Sequence, residues 1–317
     1  MILDAFLFSP RCGKINLYLE IIGDRPDGFH ELVMIMQSVA LADQITVRAI
    51  GVDEIRVRCS HFEVPTDQTN LAYQAAALLA QEFPDQIAKF GGVEIAIEKN
   101  IPVGAGLAGG SANAAAVLVG LDLLWQLGLS QLELQDLGAK LGSDVPFCLM
   151  GGTAIATGRG EELDPLAGLE PLHVVLAKYQ SLSVPTPWAY KAYREQFGDR
   201  YLNEPQQRQD RQQRVHSGAM VAAISQRDYA TLGQELCNDF EKVVLPVHPQ
   251  VAQLKATMAN LGGLGTLMSG SGPTVFTLAE TAAQAEEIAV GLRQAIPDED
   301  LGIWPTHLTS TGIRLDP

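Results

Sequence analysis

The chain has 317 residues, of which 47% are hydrophobic, so it can bury a large core and form two domains. Its 22 basic and 37 acidic residues give a formal net charge of −15, which excludes broad electrostatic attraction to nucleic acid or to an anionic membrane. No apolar run reaches the length of a membrane span, and the four cysteines form no C-x-x-C pair. We therefore expect a cytoplasmic protein with free thiols, present as a monomer or weak homodimer, whose anionic ligands need a local positive site.

The first part of the chain predicts short antiparallel strands and then a helix. A turn rich in chain-breaking residues, 23–28, separates the first two strands. The helix is alanine-rich and covers residues 70–83, with Thr69 in position to cap its amino end. The predicted strands cover residues 14–21, 32–39, 44–49 and 55–59.

A glycine-rich stretch, residues 102–113, lies between a predicted strand at 93–98 and a largely buried helix at 114–125. Strand, glycine loop and helix together bring free backbone N–H groups and a helix dipole to one point, which attracts phosphate. The stretch lacks the lysine of a Walker A loop. A G-x-G-x-x-G match is present, but no carboxylate ends a following strand about 20 residues on, which argues against a dinucleotide oxidoreductase. The alternatives are a nucleotide phosphate loop of another class and a glycine-rich turn without a ligand.

The rest of the chain predicts helices packed on one antiparallel sheet. A capping box at Ser130 and Glu133 opens a helix to about residue 141, and a short helical turn follows with Asp144 near its amino end. Thr186 is placed to cap a helix, and the polar stretch 198–216 is predicted to be a mobile surface insertion. Further strands are predicted at 151–156, 173–177, 275–278 and 303–308, with helices at 250–261 and 282–295 and a second glycine loop at 262–274.

Two charged residues stand in apolar surroundings and could act beside a bound nucleotide. Lys14 heads the first predicted strand, and Asp144 follows a glycine after a helix. Each alone is commonly a solvated surface charge. Together with a phosphate loop, a lysine and a carboxylate are the minimal set for activating a hydroxyl beside ATP.

Several motifs, taken in order, resemble the GHMP small-molecule kinase superfamily across nearly the whole chain. Within the superfamily, the stretches 23–32 and 141–147 resemble the branch that acts on 4-diphosphocytidyl-2-C-methyl-D-erythritol. The motifs that carry the resemblance to the superfamily are residues 13–17, 102–113, 141–146 and 269–274.

The resemblance implies an α+β protein with the two-domain GHMP kinase-like fold. It implies a ribosomal protein S5 domain 2-like, ATP-binding domain over residues 1–157 and a ferredoxin-like α/β sandwich over residues 158–317. The implied activity is ATP- and Mg²⁺-dependent phosphorylation of the 2-hydroxyl of the cytidine diphosphate-linked methylerythritol, a step of non-mevalonate isoprenoid synthesis. Transfer is expected to be direct and in line, without a phosphoenzyme.

The resemblance also assigns roles to individual residues. Asp144 is implied as the base toward the acceptor hydroxyl, and Lys14 as the group that lowers the pKa of that hydroxyl or stabilises phosphoryl charge. Ser111 is a candidate hydroxyl ligand for Mg²⁺, which otherwise has no dedicated ligand. The implied substrate-binding residues are Asn16, Phe29, His30, Thr186 and Tyr190, with Phe29 and Tyr190 sandwiching the cytosine ring. The implied ATP-binding residues are Pro102, Val103, Gly104, Ala105, Gly106, Leu107, Ala108, Gly109, Gly110, Ser111, Ala112, Asn70 and Lys99.

The chain departs from the family pattern at three places. Phe29 stands where tyrosine is usual, Arg11-Cys12-Gly13 precedes the lysine in place of Pro-Ala, and Tyr179 follows Lys178 in place of proline. None of these changes removes a reacting group. The alternative functions are another GHMP-type kinase, acting on homoserine, mevalonate or a sugar, and a non-catalytic nucleotide-binding regulator on the same fold.

Overall fold

Fourteen strands and twelve α-helices are found in residues 5–10 and 13–315, which the computed structural model describes. Arg11 and Cys12 lie outside the described residues. The strands are β1 (Ala5–Pro10), β2 (Gly13–Asp24), β3 (His30–Val39), β4 (Gln44–Ile50), β5 (Ile55–Cys59), β6 (Gly92–Glu98), β7 (Thr153–Thr157), β8 (Glu162–Pro165), β9 (His173–Tyr179), β10 (Cys237–Asn238), β11 (Gly265–Met268), β12 (Val275–Ala279), β13 (Leu301–His307) and β14 (Ile313–Leu315).

The helices confirm the predicted mixture of helix and strand. Within the part of the chain that the structure describes, no helix combines the length and apolar character needed to cross a bilayer. The helices are α1 (Leu71–Glu82), α2 (Pro84–Phe90), α3 (Gly109–Trp125), α4 (Gln131–Leu141), α5 (Val145–Met150), α6 (Thr186–Phe197), α7 (Pro205–His216), α8 (Ala219–Gln226), α9 (Tyr229–Gln234), α10 (Glu241–Val247), α11 (Pro249–Asn260) and α12 (Ala282–Ala295).

Three sheets organise the molecule. The first has the strand order β14-β1-β4-β6-β5, the second β10-β2-β3-β7-β8, and the third β11-β12-β9-β13. All neighbouring strands described are antiparallel except the pairs β5–β6 and β10–β2. The third sheet carries α11 and α12, as predicted for helices on one antiparallel sheet. The predicted domain division at residues 157 and 158 falls in the turn between β7 and β8, and it stays a prediction.

The helix that follows the first glycine loop buries 11 of its 17 residues. Its apolar residues surround the whole helix, because α3 lies between α1, α4, α5 and the first sheet. Helix α1 packs against α3, and its buried residues at helical spacing are Ala72, Ala75, Ala76 and Leu79. The cap predicted at Thr69 is wrong. Asn70 caps α1 by accepting a hydrogen bond from the Ala72 N–H, while Asp67 engages both the hydroxyl and the N–H of Thr69.

The polar segment predicted as a mobile insertion instead forms α7 and packs against the second sheet. The Arg211 Nε atom lies 2.8 Å from Oε2 of Glu20 on β2, and the Arg208 Nε donates to the Leu202 carbonyl at 2.6 Å. Val215 is buried at the end of the helix. Arg208 and Arg211 are three residues apart and therefore share a helix face, which is how so polar a segment acquires a fixed position.

Candidate active site

A cavity of about 850 Å³ opens between β2 and β3 of the second sheet and the two glycine loops. Its lining contains every residue assigned a role from the sequence except Ala112, which is fully buried in the core around α3. The predicted residues on the lining are Lys14, Asn16, Phe29, His30, Asn70, Lys99, residues 102–111, Asp144, Thr186 and Tyr190. One cavity thus gathers predicted residues that are up to 176 positions apart in the chain, from Lys14 to Tyr190 (190 − 14).

The first glycine loop has the backbone shape expected of a phosphate loop. Gly104, Gly106 and Ala108 have φ values of 60°, 72° and 56°, in the left-handed region. Helix α3 begins at Gly109, five residues before the predicted start at 114, because the small residues of the loop continue directly into its first turn. The amino end of α3 has no side-chain cap, so its first N–H groups and the helix dipole are left to meet an anion.

Contacts to β2 and to the second glycine loop hold the first loop in place. The Leu107 carbonyl accepts a hydrogen bond from the Lys14 N–H at 3.0 Å, and the Gly106 carbonyl accepts one from the Ser269 hydroxyl at 3.2 Å. A side chain at Gly106 would collide with the Ser269 carbonyl oxygen. The second loop is itself fixed by Asn238, whose amide donates to the carbonyls of Met268 and Gly270 at 2.7 and 2.8 Å.

Lys14 and Asp144 meet on the cavity wall. The Lys14 Nζ lies 3.7 Å from Oδ2 of Asp144, and the two side chains are 6% and 31% exposed. Lys14 also donates to Oδ1 of Asn16 at 2.7 Å, so that amide positions the ammonium group. Asp144 occupies the residue before α5 without capping it, which leaves its carboxylate directed at Lys14 and the cavity. A base and a cation therefore stand together beside the phosphate loop.

Aromatic rings form another part of the wall. The imidazole of His30 stacks on the Tyr190 ring with centroids 4.6 Å apart and an interplanar angle of 22°. Phe29 is 49% exposed, and the Arg159 guanidinium lies 5.0 Å from its ring centroid. Because His30 already covers one face of Tyr190, a base between Phe29 and Tyr190 would use the remaining face or displace the imidazole. The sandwich stays a prediction.

Burial and nearby charges alter the protonation of these rings. The pKa of His30 is lowered, first by burial and then by the Arg194 guanidinium, with Asp24 acting in the opposite direction. The pKa of Tyr190 is raised by burial and next by the Asp144 carboxylate. The wall near Tyr190 thus presents a neutral imidazole and a neutral phenol.

Two residues predicted to lie near the nucleotide make strong contacts inside the protein. The Lys99 Nζ binds Oδ2 of the fully buried Asp43 at 2.7 Å and the Ile101 carbonyl at 2.6 Å. Asn70 caps α1 and donates to the Pro65 carbonyl at 2.6 Å. Both line the cavity and also hold the segments that surround the glycine loop. Their contact with a nucleotide stays a prediction.

The structure adds residues to the site that the sequence analysis did not assign. The Ser271 hydroxyl, from the second glycine loop, lies 2.8 Å from that of Thr186, which begins α6 instead of capping it. Arg159, Lys191 and Arg194 add positive charge to the lining. Arg194 follows Tyr190 by four positions in a predicted helix and so shares its face, and this spacing was the signal available in the sequence.

Metal binding has little support from protein side chains alone. In residues 5–10 and 13–315, no three or more His, Cys, Asp and Glu side chains form a group that could hold a metal ion. Ser111 lies on the cavity lining in the first turn of α3, and Asp144 lies on the same lining. This set fits a Mg²⁺ ion held chiefly by phosphate oxygens and water, as is usual for this ion.

Comparisons with known proteins identify the family of this chain. The family models described as GHMP kinases N terminal domain and GHMP kinases C terminal match residues 70–152 and 220–298. Proteins named 4-diphosphocytidyl-2-C-methyl-D-erythritol kinase from Gloeothece citriformis and Nostoc punctiforme are 62% and 60% identical, over 96% and 95% of this chain and 96% of each relative.

Solved structures show the same fold. A structure described as 4-(cytidine 5'-diphospho)-2C-methyl-D-erythritol kinase has a TM-score of 0.72 and 32% identity, covering 96% of this chain and 98% of that one. A homoserine kinase from Cytophaga hutchinsonii has a TM-score of 0.74 at 18% identity, covering 100% and 98%, and shows likeness of fold alone. The chain belongs to the GHMP kinase family and has its two-domain fold.

Proposed function

We propose that the protein is an ATP-dependent kinase that phosphorylates the 2-hydroxyl of 4-diphosphocytidyl-2-C-methyl-D-erythritol in non-mevalonate isoprenoid synthesis. The observation that carries the proposal is a single cavity lined by the phosphate loop, the Lys14–Asp144 pair and the His30–Tyr190 stack. The names of relatives at up to 62% identity over nearly the whole chain support it.

A series of contacts and one electrostatic interaction connect the first glycine loop to the aromatic wall. The phosphate loop is bonded to the Lys14 backbone, and the Lys14 ammonium is paired with Asp144. The carboxylate of Asp144 acts electrostatically on Tyr190, whose ring carries the stacked His30. A substrate with a base at one end and an alcohol at the other could therefore bind the aromatic wall and present its hydroxyl to Asp144.

The proposed reaction is one in-line displacement. Asp144 accepts the proton as the O–H bond of the alcohol breaks and its oxygen forms a bond to the γ-phosphorus. The bond from that phosphorus to the β,γ-bridging oxygen breaks, and ADP leaves with the electron pair. Lys14 stabilises the charge on the transferred group, while the N–H groups at the start of α3 hold the remaining phosphates. When bound, Mg²⁺ would supply further neutralisation of phosphate charge, and Ser111 on the cavity lining is the proposed hydroxyl ligand.

We further propose that the chain divides into domains at 1–157 and 158–317 and acts in the cytoplasm as a monomer or weak homodimer. The net charge of −15 makes a local cationic lining necessary for a doubly anionic substrate, and Arg159, Lys191 and Arg194 provide it.

ADP release with alternative acceptors tests the proposed substrate. We expect kcat/KM for the cytidyl substrate to exceed that for homoserine, mevalonate or galactose by more than about 100-fold, because only the first can use the aromatic wall. Purified protein, ATP and Mg²⁺ are assayed with each acceptor and with none. Comparable turnover of another acceptor would favour the other GHMP-type kinases. Nucleotide binding without turnover of any acceptor would favour the non-catalytic regulator.

The pH dependence of base binding is a second expected result. Affinity for cytidine should be constant at neutral pH and fall on the acid side of 6.5, the ordinary pKa of histidine, because burial and Arg194 lower the pKa of His30. Below that lowered pKa the protonated imidazole has no acceptor nitrogen and loses its hydrogen bond to the base. Calorimetric titration with cytidine, which carries no phosphate group, measures the profile. His30→Gln should abolish the acid fall, and a fall centred above 6.5 in the unmodified protein would contradict the assignment.

A further inference from the structure

A carboxylate that the sequence analysis left without a role stands directly behind His30. Asp24 ends β2 and is paired in register with His30, the first residue of β3. Its Oδ1 atom lies 3.6 Å from the His30 Nε2, too far for a good hydrogen bond but close enough for electrostatic attraction. Arg194 donates to the same oxygen through Nε and Nη2 at 2.9 and 2.6 Å, which fixes the carboxylate in place.

The imidazole itself has a fixed orientation and one inaccessible nitrogen. Tyr190 stacks on one face of His30, and the Tyr201 ring meets it edge-on at 5.9 Å. The side chain of His30 is 7% exposed, and its Nε2 is buried without a hydrogen-bond partner. A ligand in the cavity is therefore left with Nδ1, because the closed side of the ring faces Asp24.

We propose that Asp24 is a positioning residue that keeps the proton of the neutral His30 ring on Nε2 and so makes Nδ1 a hydrogen-bond acceptor for an amino-bearing pyrimidine. A carboxylate beside one ring nitrogen favours the tautomer with its N–H on that side. Cytosine presents an amino donor at the position where uracil presents a carbonyl acceptor. The Nδ1 atom of His30 would accept a hydrogen bond from the amino group of cytosine and would repel the carbonyl oxygen of uracil. This inference rests on the proposed function and names the source of its base selectivity.

The charges around His30 are consistent with this role. The groups that face it are Asp24 from β2, Arg194 and Tyr190 from α6, and Tyr201 after α6. Burial and the guanidinium of Arg194 lower the pKa of the imidazole and keep it neutral, which an acceptor nitrogen requires. Asp24 then determines which nitrogen of the neutral His30 ring carries the single proton. Arg194 disfavours protonation of the other nitrogen.

Replacing the carboxylate by an amide tests the inference. An asparagine at position 24 can donate to Nε2, which would move the proton of His30 to Nδ1. We expect Asp24→Asn to lower the ratio of CMP to UMP affinity by at least about tenfold, with kcat at saturating substrate within about twofold of the parent value. The matched control is Asp27→Asn, since Asp27 lies in the same turn but contacts Arg25 and the Phe29 N–H. The control should keep the parent ratio.

A spectroscopic measurement makes the test independent of the substrate. Nitrogen-15 NMR of the His30 ring should show the proton on Nε2 in the parent protein and on Nδ1 in Asp24→Asn. An unchanged CMP to UMP ratio in Asp24→Asn, or a parent ring protonated on Nδ1, would overturn the role of Asp24. If the parent protein does not bind CMP, the proposed substrate fails, and the ring measurement still decides whether Asp24 sets the tautomer.

Discussion

Asp144→Asn is expected to lower kcat by a factor of about 10² to 10⁴ while the dissociation constant for ATP stays within about twofold. Asparagine keeps the size of the side chain and removes the negative charge that would accept the proton. The proposed contacts to the ATP phosphates come from backbone N–H groups at the start of α3, which this substitution leaves untouched. Lys14 also keeps its bond to Asn16, so its ammonium group stays in place. Stopped-flow ADP release and a fluorescent ATP analogue measure the two quantities separately.

Asp228→Asn is a suitable control for the loss of one carboxylate. Asp228 also stands before a helix, but it caps α9 by accepting from the Thr231 N–H, a task that asparagine performs equally well. The control should retain full turnover. Near-parental kcat in Asp144→Asn would remove Asp144 from the mechanism as the base.

Gly106→Ala is expected to raise the dissociation constant for ATP by more than about tenfold and to destabilise the fold. A left-handed φ costs a non-glycine residue about 1–2 kcal/mol. At Gly106 the added Cβ atom would also collide with the Ser269 carbonyl and lie 3.1 Å from that of Gly272. These are backbone atoms, so the two glycine loops would have to separate, and the phosphate loop would lose its shape. Calorimetric titration measures the dissociation constant for ATP, and thermal unfolding measures the loss of stability.

The cost of the backbone angle alone can be measured at Gly128. It has a φ of 70°, close to the 72° of Gly106, but an added Cβ atom would meet no atom within 4 Å. Gly128→Ala should therefore destabilise the fold through its backbone angle and leave the affinity for ATP unchanged. Equal effects of the two substitutions on ATP binding would show that contact between the glycine loops is unimportant for the phosphate site.

Local patterns predicted the parts of the molecule that local interactions decide. The capping box at Ser130, the strand before the first glycine loop and the helix after it were readable because each depends on residues a few positions apart. Helix α7 was misjudged because its fixed position comes from Arg211 binding Glu20, a partner 191 positions away. The Asn70 cap was missed because Asp67 competes for Thr69, a choice that composition alone does not reveal.

The candidate site also contains a part that can be inferred from local sequence and parts that depend on the three-dimensional arrangement. The first glycine loop is one continuous segment, so its proposed phosphate binding could be inferred from the sequence. Lys14 and Asp144 were paired by their apolar surroundings and by resemblance, since nothing local indicates that β2 and the start of α5 meet. The stack of His30 on Tyr190 and the clamp of Arg194 on Asp24 depend on how α6 lies against β2 and β3, which the chain order does not specify.

One apolar cluster runs beneath the cavity and contains Met34 and Phe147 from the first half of the chain together with Tyr193, Phe240 and Val251 from the second. Bending the halves apart as rigid bodies would expose these side chains to water, at a cost that rises with every square ångström uncovered. We therefore expect substrate entry and product release to depend on small movements of residues at the edge of the cavity. The apolar cluster beneath the cavity should keep its position through each catalytic cycle.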